Sequence, residues 1–116
     1  LGPVPGGGSD VLLLAGDTIG SAGGSVSYSV SNMQPGSDFA ILASLSNAGS
    51  VLGGQAFDIG LPYIIGGRGV ADQNGNGTIT FSIPPGVSPN TIGYVEAGAR
   101  SALGIDESNM LTILIL

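Results

Sequence analysis

The stretch Val70-Ala-Asp-Gln-Asn-Gly-Asn-Gly-Thr-Ile-Thr-Phe-Ser-Ile83 constrains the fold more than any other part of the chain. Thr78, Thr80 and Ser82 alternate with Ile79, Phe81 and Ile83, so polar residues face one way and apolar residues the other, as a half-buried β-strand requires. Ahead of that strand, Asp72, Asn74, Gly75, Asn76 and Gly77 make a polar turn. Asn-Gly between extended runs signals a β-hairpin because both residues tolerate positive φ. A hairpin is therefore the expectation for residues 70–83.

The same grammar of short strands and Gly, Asn or Pro punctuation runs through the chain. Residues 1–9, Leu-Gly-Pro-Val-Pro-Gly-Gly-Gly-Ser, read as an extended linker-like segment, and residues 10–116 as a single domain. Val11, Leu12, Leu13 and Leu14 read as a strand apolar on both faces. Residues 24–31 alternate, with Val26, Tyr28 and Val30 inward. After the Pro35-Gly36 turn, a strand carries Phe39, Ile41 and Leu45 on one face and Ala40, Leu42 and Ser44 on the other, which suits cover on both sides. Residues 47–54 read as loop, 55–61 as a short strand with Phe57 and Ile59, and 62–69 as an irregular crossover. Residues 91–101 form the longest strand, with Tyr94, Glu96 and Gly98 opposite Val95, Ala97 and Ala99. A loop containing Asp106 and Glu107 leads to a final apolar strand, residues 109–116. About seven or eight short strands of this kind predict an all-β, antiparallel sandwich with Ig-like, Greek-key connections; a small β-barrel is the competing architecture.

Composition agrees and narrows the function. Only 9% of the 116 residues are charged, and 22 are glycine, so the surface must be built from small polar side chains and backbone. Glycine costs about 1 kcal/mol relative to alanine inside a helix, and no helical periodicity is present. Arg68 and Arg100 are the only basic residues against eight acidic ones, a net charge of −6. Nothing here neutralises phosphates, which argues against nucleic acid and anionic membrane surfaces as partners. No apolar run reaches the roughly 18 residues needed to insert across a bilayer. The start at Leu1 rather than Met is what removal of a leader peptide leaves, and so is a chosen boundary; export with leader removal is the expectation.

From about Gly20 onward, over roughly four-fifths of the chain, the turn-and-strand motifs follow a definite order. It runs through a Ser-Val-Ser-Tyr-Ser-Val strand, a Pro-Gly turn before Phe-Ala-Ile-Leu-Ala-Ser, and a Gly-Gly-rich segment leading to Asp. Ala-Asp-Gln-Asn-Gly-Asn-Gly follows with a Phe-x-Ile-Pro strand, then Tyr-Val-Glu-Ala and a Ser-Asn before the last strand. This order resembles the small β-sandwich modules of large secreted proteins of environmental bacteria. The resemblance implies the fold and export, and brings no catalytic residues. Members of that group often carry a cysteine pair, which this chain lacks.

Chemistry has few places to reside. With no His, Cys or Lys, neither a Ser-His or Cys-His nucleophile nor a Schiff base can form, and no enzyme is expected. Paired carboxylates would have to come from Asp58, Asp72, Glu96, Asp106 and Glu107, and spacing selects no pair among them. Asp72, Asn74 and Asn76 place oxygen ligands at the first, third and fifth positions of a calcium-loop pattern with Gly77 at the sixth, but Ile83 stands where a bidentate Glu belongs. The alternatives are a weak calcium site, completed by Asp106 or Glu107, and a turn whose Asp and Asn side chains cap their own backbone. Asn76-Gly-Thr is also a glycosylation sequon. Arg68 and Arg100 suit salt bridges or contacts between subunits, and Tyr28, Tyr63 and Tyr94 are the only tyrosines available for a sugar platform.

The apolar ends carry the functional expectation. Val11, Leu12, Leu13 and Leu14 suit a strand given to a neighbouring subunit, which would build a head-to-tail homopolymer, an extracellular filament or surface layer. The alternatives are pairing within the subunit, and a secreted carbohydrate-binding or adhesion module stiffened by calcium.

Overall fold

The computed structural model describes residues 11–102 and 104–116. The N-terminal segment expected at residues 1–9 lies outside them. Eleven strands follow one another: β1 Leu13–Gly16, β2 Ile19–Gly20, β3 Ser25–Ser31, β4 Asp38–Ser44, β5 Ser50–Leu52, β6 Gln55–Phe57, β7 Tyr63–Val70, β8 Gly77–Ser82, β9 Thr91–Ser101, β10 Gly104–Glu107 and β11 Leu111–Ile115. One sheet has the order β1-β3-β8, and the other β2-β11-β9-β4-β7, with β10 also on β9. β5 and β6 form a separate two-stranded flap. The fold is an all-β sandwich, as the alternation predicts. Among the described residues these strands pair antiparallel, except β2 with β11, and a single parallel bridge joins Leu12 to Ser108. The strands beyond the expected seven or eight are short ones: β2, β5, β6 and β10 have two to four residues each. Among the described residues no helix is long and apolar enough to cross a membrane.

The inter-sheet core follows the period-two patterns. Val26, Tyr28 and Val30 of β3 face Phe39 and Ile41 of β4, Val95, Ala97 and Ala99 of β9, and Ile113 and Ile115 of β11. Tyr28 stacks on Phe81 with ring centroids 5.8 Å apart. A second, smaller core sits on the outer face of the larger sheet, where Leu42, Phe57 and Ile59 pack beneath the β5–β6 flap. β4 is thus covered on both sides, as expected. It ends at Ser44, however, which leaves Leu45 exposed rather than on the core face.

Two expectations are corrected. Residues 70–83 are no hairpin: β7 pairs with β4 and β8 with β3, so the Asn-Gly turn carries the chain from one sheet to the other. The turn closes locally, with the Asp72 N–H donating to Asn76 O at 2.9 Å and the Gly75 N–H to Asp72 O at 3.0 Å. It also anchors to the preceding loop, because the Met33 N–H donates to Gly75 O at 3.0 Å. Gly75 is at φ +78, and a Cβ there would lie 2.2 Å from Met33 O. Residues 62–69 are not irregular either, because Tyr63–Val70 is a full strand. Its glycines are a packing requirement: a Cβ on Gly66 would fall 2.6 Å from the Phe81 ring, and one on Gly67 would fall 2.4 Å from Ile79 Cγ2. β8 side chains therefore lie directly on the β7 backbone across the sandwich.

The N-terminal strand also differs in detail. Leu12 and Leu14 are buried at 0% and 4% exposure, while Val11 and Leu13 are exposed, so only one face of this stretch is covered.

Candidate functional site

β1 occupies a slot with a hydrogen-bonding edge on each side. Along one side it pairs with β3, Leu13 opposite Ser31 and Leu14 opposite Val30. On the other side the Val11 and Leu12 N–H groups both donate to Glu107 O, at 3.1 and 3.0 Å. Asn109 then stands in for a strand residue. Its Oδ1 accepts from the Leu14 N–H at 2.8 Å and its Nδ2 donates to Leu14 O at 3.0 Å. Leu12 and Leu14 fill the core from this position. The slot thus recognises extended backbone plus two apolar side chains at alternate positions, the chemistry by which a strand adds to a sheet. In the sequence, Asn109 is only a polar residue ahead of an apolar strand, and nothing there marks it as a clamp.

The second constellation is acidic. β9 alternation sends Glu96 to the outer face, toward the flap, and β10 brings Glu107 to that face opposite Gly98. Asp58 follows β6. One oxygen from each of Asp58, Glu96 and Glu107 lies within 4.8 Å of the other two. These three of the five carboxylates considered from sequence come together. Asp106 does not join them, because it faces the opposite way to Glu107 on a short strand.

Glu96 has a structural task that explains its position. After Phe57 the chain leaves the flap and buries Ile59, so the Asp58 and Ile59 N–H groups have no strand partner. Glu96 Oε1 accepts from both, at 2.9 and 3.0 Å. Gly60 N–H donates to Ser46 O at 2.7 Å and Ser50 Oγ donates to Ile59 O at 2.7 Å, which completes the accounting for this buried turn. Burial first, then a hydrogen bond with the Glu107 carboxyl, pushes Glu96 up to about 9, against the lowering effect of the Ile59 N–H. The negative charges of Glu107 and Asp58 add to the rise. When both glutamates are ionised, each offers only acceptors to the other, so that bond exists only with a proton between them.

The loop residues Asp72, Asn74 and Asn76 are exposed at the inter-sheet turn. Asp72 Oδ1 accepts from the N–H groups of Asn74 and Asn76, at 2.8 and 2.9 Å. Among the described residues, Asp72 stands in no cluster of three carboxylates, and Glu107 belongs to the cluster with Asp58 and Glu96 instead. Tyr28 is buried, with its hydroxyl donating to Asp17 O at 2.8 Å, and Tyr63 and Tyr94 are half-buried under the flap. Arg68 and Arg100 line one open cleft beside Asp38, which lies directly across from Arg100 in the register of β4 and β9. An apolar cleft of about 250 Å³ opens between Phe81 and Ile83 on one sheet and Ala43 and Ile64 on the other.

No family model matches the chain, and no curated protein is similar enough in sequence to count as a relative. Among solved structures, the PKD domain of an M14-like peptidase from Thermoplasmatales archaeon SCGC AB-540-F20 is similar, at 16% identity over 90% of each chain with a TM-score of 0.43.

Proposed function

We propose that this chain is a non-catalytic structural module of an extracellular filament or surface layer, whose subunits join head to tail by exchange of the N-terminal strand. The observation that carries the reading is the two-sided slot around β1. Its contacts are made to backbone and to Leu12 and Leu14, and residues 11–14 of a neighbouring copy present the same groups. Strand exchange substitutes one chain's segment for another's at little net cost, and an exchange that passes from subunit to subunit without closing builds a fibre. The acceptor is the vacated slot itself. Donation to the edge of β8 that no described strand covers would strip Leu12 and Leu14 from the donor's own core, a loss on the scale of the about 2–5 kcal/mol that a buried Leu→Ala change costs.

The non-catalytic part of the reading draws on the residues available. No His, Cys or Lys exists to serve as nucleophile or base, and Glu96 and Glu107 are buried under the flap rather than lining an open cleft. The exported location rests on the resemblance to secreted sandwich modules and on the Ser/Thr/Gly-rich, lysine-free surface. A carbohydrate-binding module has less behind it, since none of the three tyrosines presents an exposed ring.

Light scattering and negative-stain imaging of the native chain test the proposal. Regular fibres are expected. A closed dimer would keep strand exchange but remove the filament, and a monodisperse 11.3 kDa particle would overturn both.

A further inference from the structure

We propose that Asp58, Glu96 and Glu107 form a binding site for a hard divalent cation, with Ca²⁺ the ion that the ligand chemistry fits best. Their oxygens lie within 4.8 Å of one another, the span expected of ligands on one Ca²⁺ at about 2.3–2.6 Å each. All three are carboxylates, which Ca²⁺ accepts in mono- or bidentate fashion among its oxygen ligands. The second observation is Glu96 itself, whose side chain is fully buried. Its Oε1 is fixed by two backbone N–H groups, which leaves Oε2 facing the Glu107 carboxyl, with no N–H or hydroxyl donor to it among the described residues. Backbone donors that fix one carboxylate oxygen and leave the other turned toward neighbouring carboxylates are the outer-shell arrangement that orients a metal ligand.

The ion would also sit at the foot of the β1 slot, since the Glu107 carbonyl receives the Val11 and Leu12 N–H groups. This site is separate from the loop at Asp72, whose Oδ1 is already taken by two backbone donors.

The test uses the full chain, stripped with chelator and titrated with CaCl₂ at neutral pH by calorimetry and by thermal melting. Saturable binding at one site and a higher melting midpoint are expected, with MgCl₂ weaker because Mg²⁺ dehydrates reluctantly. Glu96→Gln keeps the oxygen that caps the Asp58 and Ile59 N–H groups, so circular dichroism should report a folded protein that has lost both responses. Asp72→Asn should keep both. Absence of heat and of any melting shift in the wild type would mean that protons alone occupy the cluster and would overturn the proposal. So would Ca²⁺ binding that survives Glu96→Gln or disappears in Asp72→Asn.

Discussion

Replacing Glu96 separates its capping task from its charge. Glu96→Ala removes the acceptor shared by the Asp58 and Ile59 N–H groups, both in a turn that buries Ile59 completely. A buried donor left without a partner costs about 1–3 kcal/mol, so two would cost about 2–6 kcal/mol. The alanine also removes an unfavourably buried carboxyl that faces Glu107 and Asp58, which offsets part of that loss. A net destabilisation of about 2–4 kcal/mol follows. Glu96→Gln keeps Oε1 where it is and puts an amide donor in place of Oε2, facing an acceptor on Glu107. It should stay within about 1 kcal/mol of wild type in cation-free buffer. Urea unfolding followed by circular dichroism, with chelator present throughout, measures both variants. If alanine is as stable as wild type, or glutamine as unstable as alanine, the capping role assigned to Oε1 is wrong.

Three further outcomes follow from the packing. Gly67→Val should destabilise by about 1–3 kcal/mol in thermal melts, since even its Cβ would stand 2.4 Å from Ile79 Cγ2; a neutral result would contradict the face-to-face contact of β7 and β8. Asp72→Ala should cost about 1–2 kcal/mol in urea titrations through loss of two backbone caps, and a loss below a few tenths would show that the turn holds without them. Burial first, then the Asp17 charge, raises Tyr28 from 10.0 to about 12. Above pH 10 the unfolded chain loses this proton while the folded chain keeps it, so the stabilisation is complete below 10 and declines as pH rises towards 12. Paired unfolding curves of wild type and Tyr28→Phe should diverge in slope across that window and run parallel below it; parallel curves throughout would refute the assignment.

Much of the architecture is legible in the chain because period two survives in it. The alternation of Val26, Tyr28 and Val30, and the two faces of β9 that separate Glu96 from Val95 and Ala97, both read directly from sequence. The failures share a cause: the deciding partner is far away along the chain. Asn74-Gly75 chemistry specifies a tight turn, but the same turn serves a hairpin or a step between sheets, and only the partners β3 and β4 distinguish them. Gly66, Gly67 and Gly69 weaken the strand signal of β7, and the Phe81, Ile79 and Phe39 side chains that require them come from other strands. The candidate site was half legible. Glu96 and Glu107 are visible as carboxylates, but their meeting with Asp58 depends on the flap after β6 and on β10, which falls where the sequence reads as loop. Asn109 as the clamp on Leu14 is invisible, since the two lie 95 residues apart.

The ownership of β1 is the point on which the assembly reading turns, and a disulfide trap reads it directly. Ala15 and Ser29 are register partners on the exposed face of β1 and β3, within the Cα separation that a disulfide spans, and the chain has no cysteine of its own. The double variant Ala15→Cys with Ser29→Cys is oxidised in its native state and run on a denaturing, non-reducing gel. Strand exchange between subunits predicts a ladder of covalent multimers that collapses to one band on reduction. A single band of closed monomers would show that each β1 stays in its own sandwich, and would contradict assembly by strand exchange.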